Sequence, residues 1–308
     1  MKVKKPLYLN DKNFISYLLI PFTIFTILIN FGKNFLIRKK YKIKTICVGN
    51  IYIGGTGKTS LSIQINKILK KKFKTVFIKK SYLDQLDERK MLQAHGNLIS
   101  DDNRGISLDK AEEKKFEVAI LDDGLQDKKI NYDISIACFN STYGIGNGYL
   151  LPAGPLREKL EILKKYSAIF LVGEKKNTKL FSIIKKFNNK IFYSKYVPTN
   201  IRSFNRKKSY LYFCGIGNPE EFKNTLNKYK FKISKKFIFP DHHNYSNEDL
   251  EKLRKIASND KLEIITTEKD YNRLTKNNKK NIKYLKVELQ IENYKKFSNF
   301  LKEKIWKK

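Results

Sequence analysis

Apolar and polar positions fall into short alternating blocks along this chain. Lys44–Val48 (KTICV) is an apolar run of strand type, and Leu61, Ile65, Ile68 and Leu69 then recur at helical spacing. Thr75–Ile78, Phe116–Leu121 (FEVAIL), Ile134–Phe139 (ISIACF), Ala168–Val172 (AIFLV) and Ile191–Ser194 (IFYS) predict further strands, with helical stretches between several of them. Strands alternating with helices predict an α/β fold with a mostly parallel sheet covered on both faces. The lysine-rich stretch around Pro198–Lys208 is loop-like, and beyond it Tyr210–Cys214, Phe237–Phe239 and Ile264–Thr266 start a second, smaller α/β unit. The expected divisions are residues 1–40, 41–205 and 206–308.

The first of these is dominated by Phe14–Gly32 (FISYLLIPFTIFTILINFG), which carries no charge. Pro21 interrupts it, and Ser16, Thr23, Thr26 and Asn30 dilute it. Lys2, Lys4, Lys5 and Lys12 precede the run, and Lys33, Arg38, Lys39, Lys40, Lys42 and Lys44 follow it. Three readings fit: an interfacial anchor, a true span, and an ordinary buried helix. Basic residues at both ends favour the first, because a span would carry one cluster to the wrong side. The segment has no small-residue cleavage site of the signal-peptide kind.

The 308 residues carry 64 Lys plus Arg against 30 Asp plus Glu, a net charge of +34. That invites a nucleic-acid reading, but arginine, the residue preferred for base edges, occurs at only eight positions. Lys, Asn, Ile, Phe and Tyr are inflated together, and no basic block coincides with a recognisable reading module. No nucleic-acid partner is expected; the charge reads as solvated surface, part of it available to an anionic membrane or a polyanionic substrate. Cys47, Cys138 and Cys214 lie in or beside apolar runs without CxxC or Cys/His spacing, as buried thiols do.

The chemistry concentrates in Val48–Ser60, VGNIYIGGTGKTS, between the first strand and the first helix of the core. This is a phosphate-binding loop of the P-loop NTPase type. Gly54, Gly55, Thr56 and Gly57 wrap the backbone so that its N–H groups point inward, Lys58 reaches the outer phosphates, Thr59 offers a hydroxyl to Mg²⁺, and Ser60 lies in the helix's first turn. Tyr52 stands where the usual pattern has its first glycine. Asp122 and Asp123 end the FEVAIL strand, where such enzymes keep the carboxylate that directs Mg²⁺; one can hold the ion directly or through water while the other orients it. His95, His242 and His243 are the only histidines, and no Cys or further His completes a zinc set around the last two.

Six blocks then follow in one order: VGNIYIGGTGKTS, LDDGLQD (Leu121–Asp127), GNGYLLPAGPLRE (Gly146–Glu158), CGIGNPEEF (Cys214–Phe222), FPDHHNY (Phe239–Tyr245) and TTEKDYNRL (Thr266–Leu274). Together they resemble the tetraacyldisaccharide 4′-kinases, inner-membrane enzymes that phosphorylate the lipid A disaccharide. The resemblance implies ATP and Mg²⁺ as cofactors and a tetraacylated glucosamine disaccharide 1-phosphate as acceptor. It implies placement on the cytoplasmic face of a bacterial inner membrane, beside anionic lipid, and a monomer is expected. It places Arg157 near phosphates and Glu158 near the metal, and it pairs His242 with an aspartate that activates the sugar hydroxyl.

Asp87 in Leu86-Asp87-Glu88-Arg89 is the expected aspartate, by resemblance to the family's Gly-Asp-Glu-Pro element, with Asp84 the weaker choice. The family's Ser-Arg-Gly-Tyr-Gly segment is altered, with Tyr82 matching its tyrosine while the arginine and both glycines are replaced. Asp127 stands where the family has histidine, which changes the charge near the phosphates. The expected function is therefore an ATP-dependent sugar-lipid kinase. A membrane-bound P-loop ATPase acting as switch or scaffold, or a decayed kinase, is the rival; it needs no base aspartate but leaves the LPAGPLRE, FPDHH and TEKD blocks without a role.

Overall fold

A computed structural model describes residues 6–81, 86–174 and 177–306. Two compact units divide them: a larger one of residues 6–81, 92–174, 177–196 and 289–306, and a smaller one of 86–91 and 197–288.

In the larger unit two short helices, α1 (Phe14–Leu18) and α2 (Thr23–Gly32), precede strand β1 (Lys44–Gly49) and helix α3 (Lys58–Leu69). There follow β2 (Thr75–Lys79), β3 (Asn97–Ile99), α5 (Arg104–Glu113), β4 (Val118–Asp122), β5 (Ile134–Asn140), β6 (Ala168–Val172), α6 (Thr178–Lys185) and β7 (Ile191–Pro198); α4 (Leu86–Gln93) starts in the smaller unit. Near the C-terminus β12 (Val287–Ile291) and α10 (Tyr294–Trp306) complete the unit. The eight strands lie in the order β12-β7-β6-β5-β1-β4-β2-β3, and the pairs from β7 to β3 are parallel. The side chains of β1, β2, β4, β5 and β6 are almost continuously buried, which is why these strands read as apolar runs: both faces are covered. Leu61, Ile65, Ile68 and Leu69 form the buried stripe of α3, as their spacing predicts. The sheet puts β1 at its centre, flanked by β4 and β5, so the loop after β1 and the end of β4 meet at the carboxyl edge where open α/β sheets bind ligands.

The smaller unit holds β8 (Ser209–Cys214), α7 (Pro219–Lys228), β9 (Lys232–Ile238), α8 (Asn247–Asn259), β10 (Glu263–Thr267), α9 (Glu268–Arg273) and β11 (Ile282–Leu285). Its four strands run parallel in the order β11-β10-β8-β9. One core cluster gathers Tyr210, Tyr212, Phe222 and Leu226, and another Leu211, Phe213, Leu250 and Leu253, one on each face of the sheet. β9 is an edge strand with Lys232, Lys235 and Lys236 exposed, a charge pattern that blunts edge-to-edge pairing.

The structure divides the chain differently from the boundaries expected at 40/41 and 205/206. Residues 289–306 return to the larger unit because β12 joins its sheet beside β7 and Phe297 of α10 packs on Phe170 and Phe192, with ring centroids 5.2 and 4.9 Å apart. The N-terminal segment also belongs to that unit. Asn13 caps α1 in a reciprocal capping box with Ser16, and the chain breaks at Pro21 before α2. Thr26 Oγ1 donates to the Leu151 carbonyl (2.7 Å) and Asn30 Nδ2 to that of Arg157 (2.8 Å), one turn apart on the same helix face. Two of the four polar residues that dilute the greasy run, Thr26 and Asn30, are therefore its fasteners. No described helix is long and apolar enough to cross a membrane.

Candidate active site

The phosphate loop of the larger unit is held open by contacts on its outer side. Gly57 has φ +79°, and a Cβ there would lie about 3.1 Å from Tyr196 Oη and Val172, so only glycine fits. Tyr52 is 1% exposed and packs with Leu150 and Leu156, while Ile53 N–H donates to the Pro155 carbonyl (2.9 Å) and Arg157 N–H to that of Ile51 (2.7 Å). The unusual tyrosine thus works as an apolar peg: the GNGYLLPAGPLRE segment lies along the loop and Tyr52 fills the space between them. Thr56 is buried and accepts from Asn50 Nδ2 (3.0 Å), and the Ser60 hydroxyl accepts from Tyr196 Oη (3.1 Å). Their side chains brace the loop from behind. Gly54 and Gly55 are exposed.

The acid pair divides into unlike halves. Asp122 is fully buried at the end of β4, and its Oδ2 accepts from Thr59 Oγ1 (3.0 Å) and Lys79 Nζ (2.7 Å), its Oδ1 from Ser62 Oγ (3.3 Å). Lys79 ends β2 directly across from Asp122 in the strand register and is itself 2% exposed. Asp123 has φ +59°, in the left-handed region. Its Oδ1 is buried and accepts no hydrogen bond, with Lys58 Nζ at 3.6 Å and Arg157 Nη1 at 3.8 Å. Burial raises its pKa, but Lys58 and Arg157, with Lys79 and Arg104, outweigh that and hold it below the usual carboxylate range. Glu158 is buried against Lys128 Nζ (2.9 Å), and Gln126 joins it (3.4 Å) to Arg157 (3.2 Å). Asp127 lies 3.7 Å from Arg104, whose Nη2 donates to the Asp123 carbonyl (2.6 Å). The carboxylate expected to alter the charge near the phosphates is therefore matched by an arginine. All three cysteines are buried and free, and burial pushes the Cys47 and Cys214 thiols up to about 12.

The smaller unit carries a second constellation. Asp87, in the first turn of α4, is 4% exposed. Its Oδ1 lies 3.3 Å from His242 Nδ1, and its Oδ2 accepts from Arg273 Nη2 at 2.7 Å. The fellow candidate Asp84, and Tyr82, lie outside the described residues. His242 sits in a turn with φ +57°, not in extended chain, and His243 turns away to bond Asp249 (2.9 Å). Burial raises the Asp87 pKa, but the His242 hydrogen bond and the charges of Arg273 and Lys269 hold it well below the usual range. Arg273 Nη1 donates to the Gly215 carbonyl (2.6 Å) and to Asp270 Oδ1 (2.8 Å), and Asp270 also accepts from Tyr245 Oη (2.7 Å), Thr267 Oγ1 (2.6 Å) and Gly215 N–H (3.0 Å). A Cβ on Gly215 would sit 2.9 Å from the Pro240 carbonyl and 3.0 Å from Tyr245 Oη. The CGIGNPEEF, FPDHHNY and TTEKDYNRL blocks thus converge on one buried ion network that ends on Asp87.

With this geometry in view, the relatives are informative. The family model for LpxK, tetraacyldisaccharide-1-P 4′-kinase, matches residues 15–306. A tetraacyldisaccharide 4′-kinase of Pelagibacter ubique is 47% identical over 98% of both chains, and that of Rickettsia akari is 36% identical over all of this chain and 98% of its own. The chain belongs to this family. Its fold is that of an LpxK crystal structure from Aquifex aeolicus, with a TM-score of 0.72 and 24% identity over 95% of this chain and all of the other.

Within the family frame, the structure brings Lys58, Asp123 and Arg157 together, and Thr59 with Asp122. It brings Asp87 and His242 together in the smaller unit. Lys79, Gln126, Lys128, Asp270 and Arg273 escaped the sequence reading. One signal was available: Thr267 caps α9, its Oγ1 accepting from Asp270 N–H at 3.1 Å, so the T-x-x-D spacing marks a helix start that fixes where Asp270 points.

Proposed function

We propose that this chain transfers the γ-phosphoryl group of ATP to the 4′-hydroxyl of a tetraacylated glucosamine disaccharide 1-phosphate, as its family membership implies. The observation that carries the chemistry is the buried, unbonded carboxylate oxygen of Asp123 beside Lys58 and Arg157, next to a strand–loop–helix phosphate cradle. Thr59 and Asp123 are a hard oxygen donor set and suit Mg²⁺. Bound there, the ion would neutralise charge on the phosphates. Asp122 serves by orienting Thr59: it takes the hydroxyl proton as a hydrogen bond and leaves the oxygen lone pairs free. Lys58 and Arg157 offer positive charge to the transferring group, and Glu158 fixes the neighbouring strut through Gln126. In the smaller unit Asp87, polarised by His242, accepts the proton of the sugar hydroxyl.

The exposed face of the N-terminal segment supports attachment to one side of a membrane. Phe14, Phe25, Leu28, Ile29, Phe35 and Ile37 all point to solvent, and an apolar patch of that extent on a polar-fastened helix fits burial among acyl chains. Only part of the basic flank remains for headgroups: Lys39 is paired with Asp109 (2.7 Å) and Lys40 with Asp133 (2.6 Å). We place this face against the cytoplasmic leaflet of the inner membrane, where ATP and the acylated acceptor are both in reach. Incubation of the purified protein with γ-labelled ATP and the disaccharide lipid tests the proposal; label should appear in the lipid, and ATP hydrolysis without lipid labelling would reject it.

A further inference from the structure

Arg273 belongs to no part of the phosphate cradle, yet it makes the shortest contact to Asp87. Its Nη2 lies 2.7 Å from Asp87 Oδ2 and 3.4 Å from His242 Nδ1, while its Nη1 is fastened to Asp270 Oδ1 and to the Gly215 carbonyl. The guanidinium is 7% exposed, and the carboxylates it joins are 2% and 0% exposed. A planar fork held at one nitrogen by a buried acid and a carbonyl has little freedom left at the other. We propose that Arg273 is the positioning residue of the proton-accepting step: it fixes Oδ2 of Asp87 in an ion pair and so turns the carboxylate with Oδ1 facing His242. The inference rests on Asp87 and His242 serving as the acid–base pair.

Three features support it. First, Asp270 anchors this fork from a fixed position. It sits at the third position of α9, accepts from Tyr245, Thr267 and Gly215, and spends its remaining interaction on Arg273. Secondly, the two oxygens of Asp87 are treated unlike one another. Oδ2 takes a short ionic hydrogen bond, whereas Oδ1 takes the longer contact to a ring that is 20% exposed. The oxygen beside His242 is therefore the one left for an incoming hydroxyl. Thirdly, the charges around Asp87 divide its control. α9 contributes Arg273 and Lys269 as cations, with Asp270 behind Arg273; the turn contributes His242 and Asp241; α4 itself contributes Glu88, which is paired with Lys269 at 3.0 Å. Since Glu88 offsets Lys269, Arg273 is the cation that dominates at the carboxylate. A depressed carboxyl pKa means that activity requiring the ion is lost only as pH falls through that low value. Removing Arg273 raises the pKa, so the loss must begin at higher pH.

The experiment compares Arg273→Gln, Arg273→Lys and Asp87→Asn in the full-length protein, with lipid phosphorylation followed from pH 4.5 to 8 and ATP Kd measured alongside. Arg273→Gln should lower kcat about tenfold or more at neutral pH, leave ATP Kd within about twofold, and bring the acid limb of kcat, which lies below this window in the wild type, up into it. Arg273→Lys keeps a cation for both acids, so the fold and the acid limb should be restored, but kcat only in part, because an ammonium cannot hold Asp87, Asp270 and the Gly215 carbonyl in one plane. A purely structural role would lower kcat in both variants without moving the limb, and that result overturns the inference. So does wild-type kcat with an unmoved limb in Arg273→Gln while Asp87→Asn is inactive, in which case the acid–base pair itself stands. A fully active Asp87→Asn protein instead overturns the pair on which the inference rests.

Discussion

The two acidic centres of this protein are built on one plan and reached by different routes. Each has a fully buried aspartate with its oxygens engaged, Asp122 in the larger unit and Asp270 in the smaller, and each uses it to aim another group: Thr59 in the first case, Arg273 in the second. Each also presents a carboxylate left for chemistry, Asp123 with an unbonded oxygen and Asp87 with its oxygen toward His242. They differ in how the chain assembles them. The cradle is largely contiguous, a strand, a glycine turn and a helix, with its acids at the end of the adjacent strand. The Asp87 centre draws on segments up to 186 positions apart. A buried acid can thus be a scaffold or a reagent, and what separates the two is whether its lone pairs are already spent.

The comparison breaks most sharply at Asp87. Asp87→Ala should lose roughly 10²–10⁴ in kcat, the span of a general base, and adding His242→Ala should cost little more, because residues acting as a unit are non-additive. ATP Kd should hardly change. Fully multiplicative losses in kcat would dissolve the pair.

The scaffold role of Asp122 is read from stability. Lys79→Met leaves a buried carboxylate without its cation and should cost about 3–5 kcal/mol in urea unfolding, while the Lys79→Met/Asp122→Asn pair should recover much of it. Equal losses in the single and double variants would show that the ion pair does not carry the effect.

Lys58 tests the reagent side of the same centre. Lys58→Ala should lower kcat by about 10²–10³, the usual cost of one preorganised electrostatic group, with unfolding midpoints unchanged. Near-wild-type turnover would reject the phosphate-cradle reading. The smallest effect belongs outside both centres. Phe25 is exposed on α2, and Phe25→Ser should reduce partition onto anionic vesicles by about 10- to 100-fold, as loss of roughly 1.5–3 kcal/mol of apolar burial implies. Unaltered partition would move the attachment surface elsewhere.

Much of the fold was legible in the sequence because its cues are local. A strand buried on both faces must be an apolar run, a helix must repeat near 3.6 residues, and a loop that wraps phosphate must spend glycine where φ is positive, as at Gly57. The order of the six motif blocks pointed to the family for the same reason: each block is a short piece of chain with its own geometry. Asp87 and His242 were reachable only through that resemblance.

What remained for the tertiary structure were the partners. Nothing near Tyr52 shows that its ring fills the space beside Leu150 and Leu156, nothing near Thr26 and Asn30 shows that they fasten α2 to carbonyls more than a hundred positions away, and nothing near Lys79 shows that β2 will run beside β4. Nor does the C-terminal segment announce its return to the first sheet. A side chain's own pattern records whether it is buried, since burial selects for polarity. It does not record which opposite charge or carbonyl it will meet, because that choice is made when the sheets pair and the helices pack, between residues whose spacing along the chain carries no period.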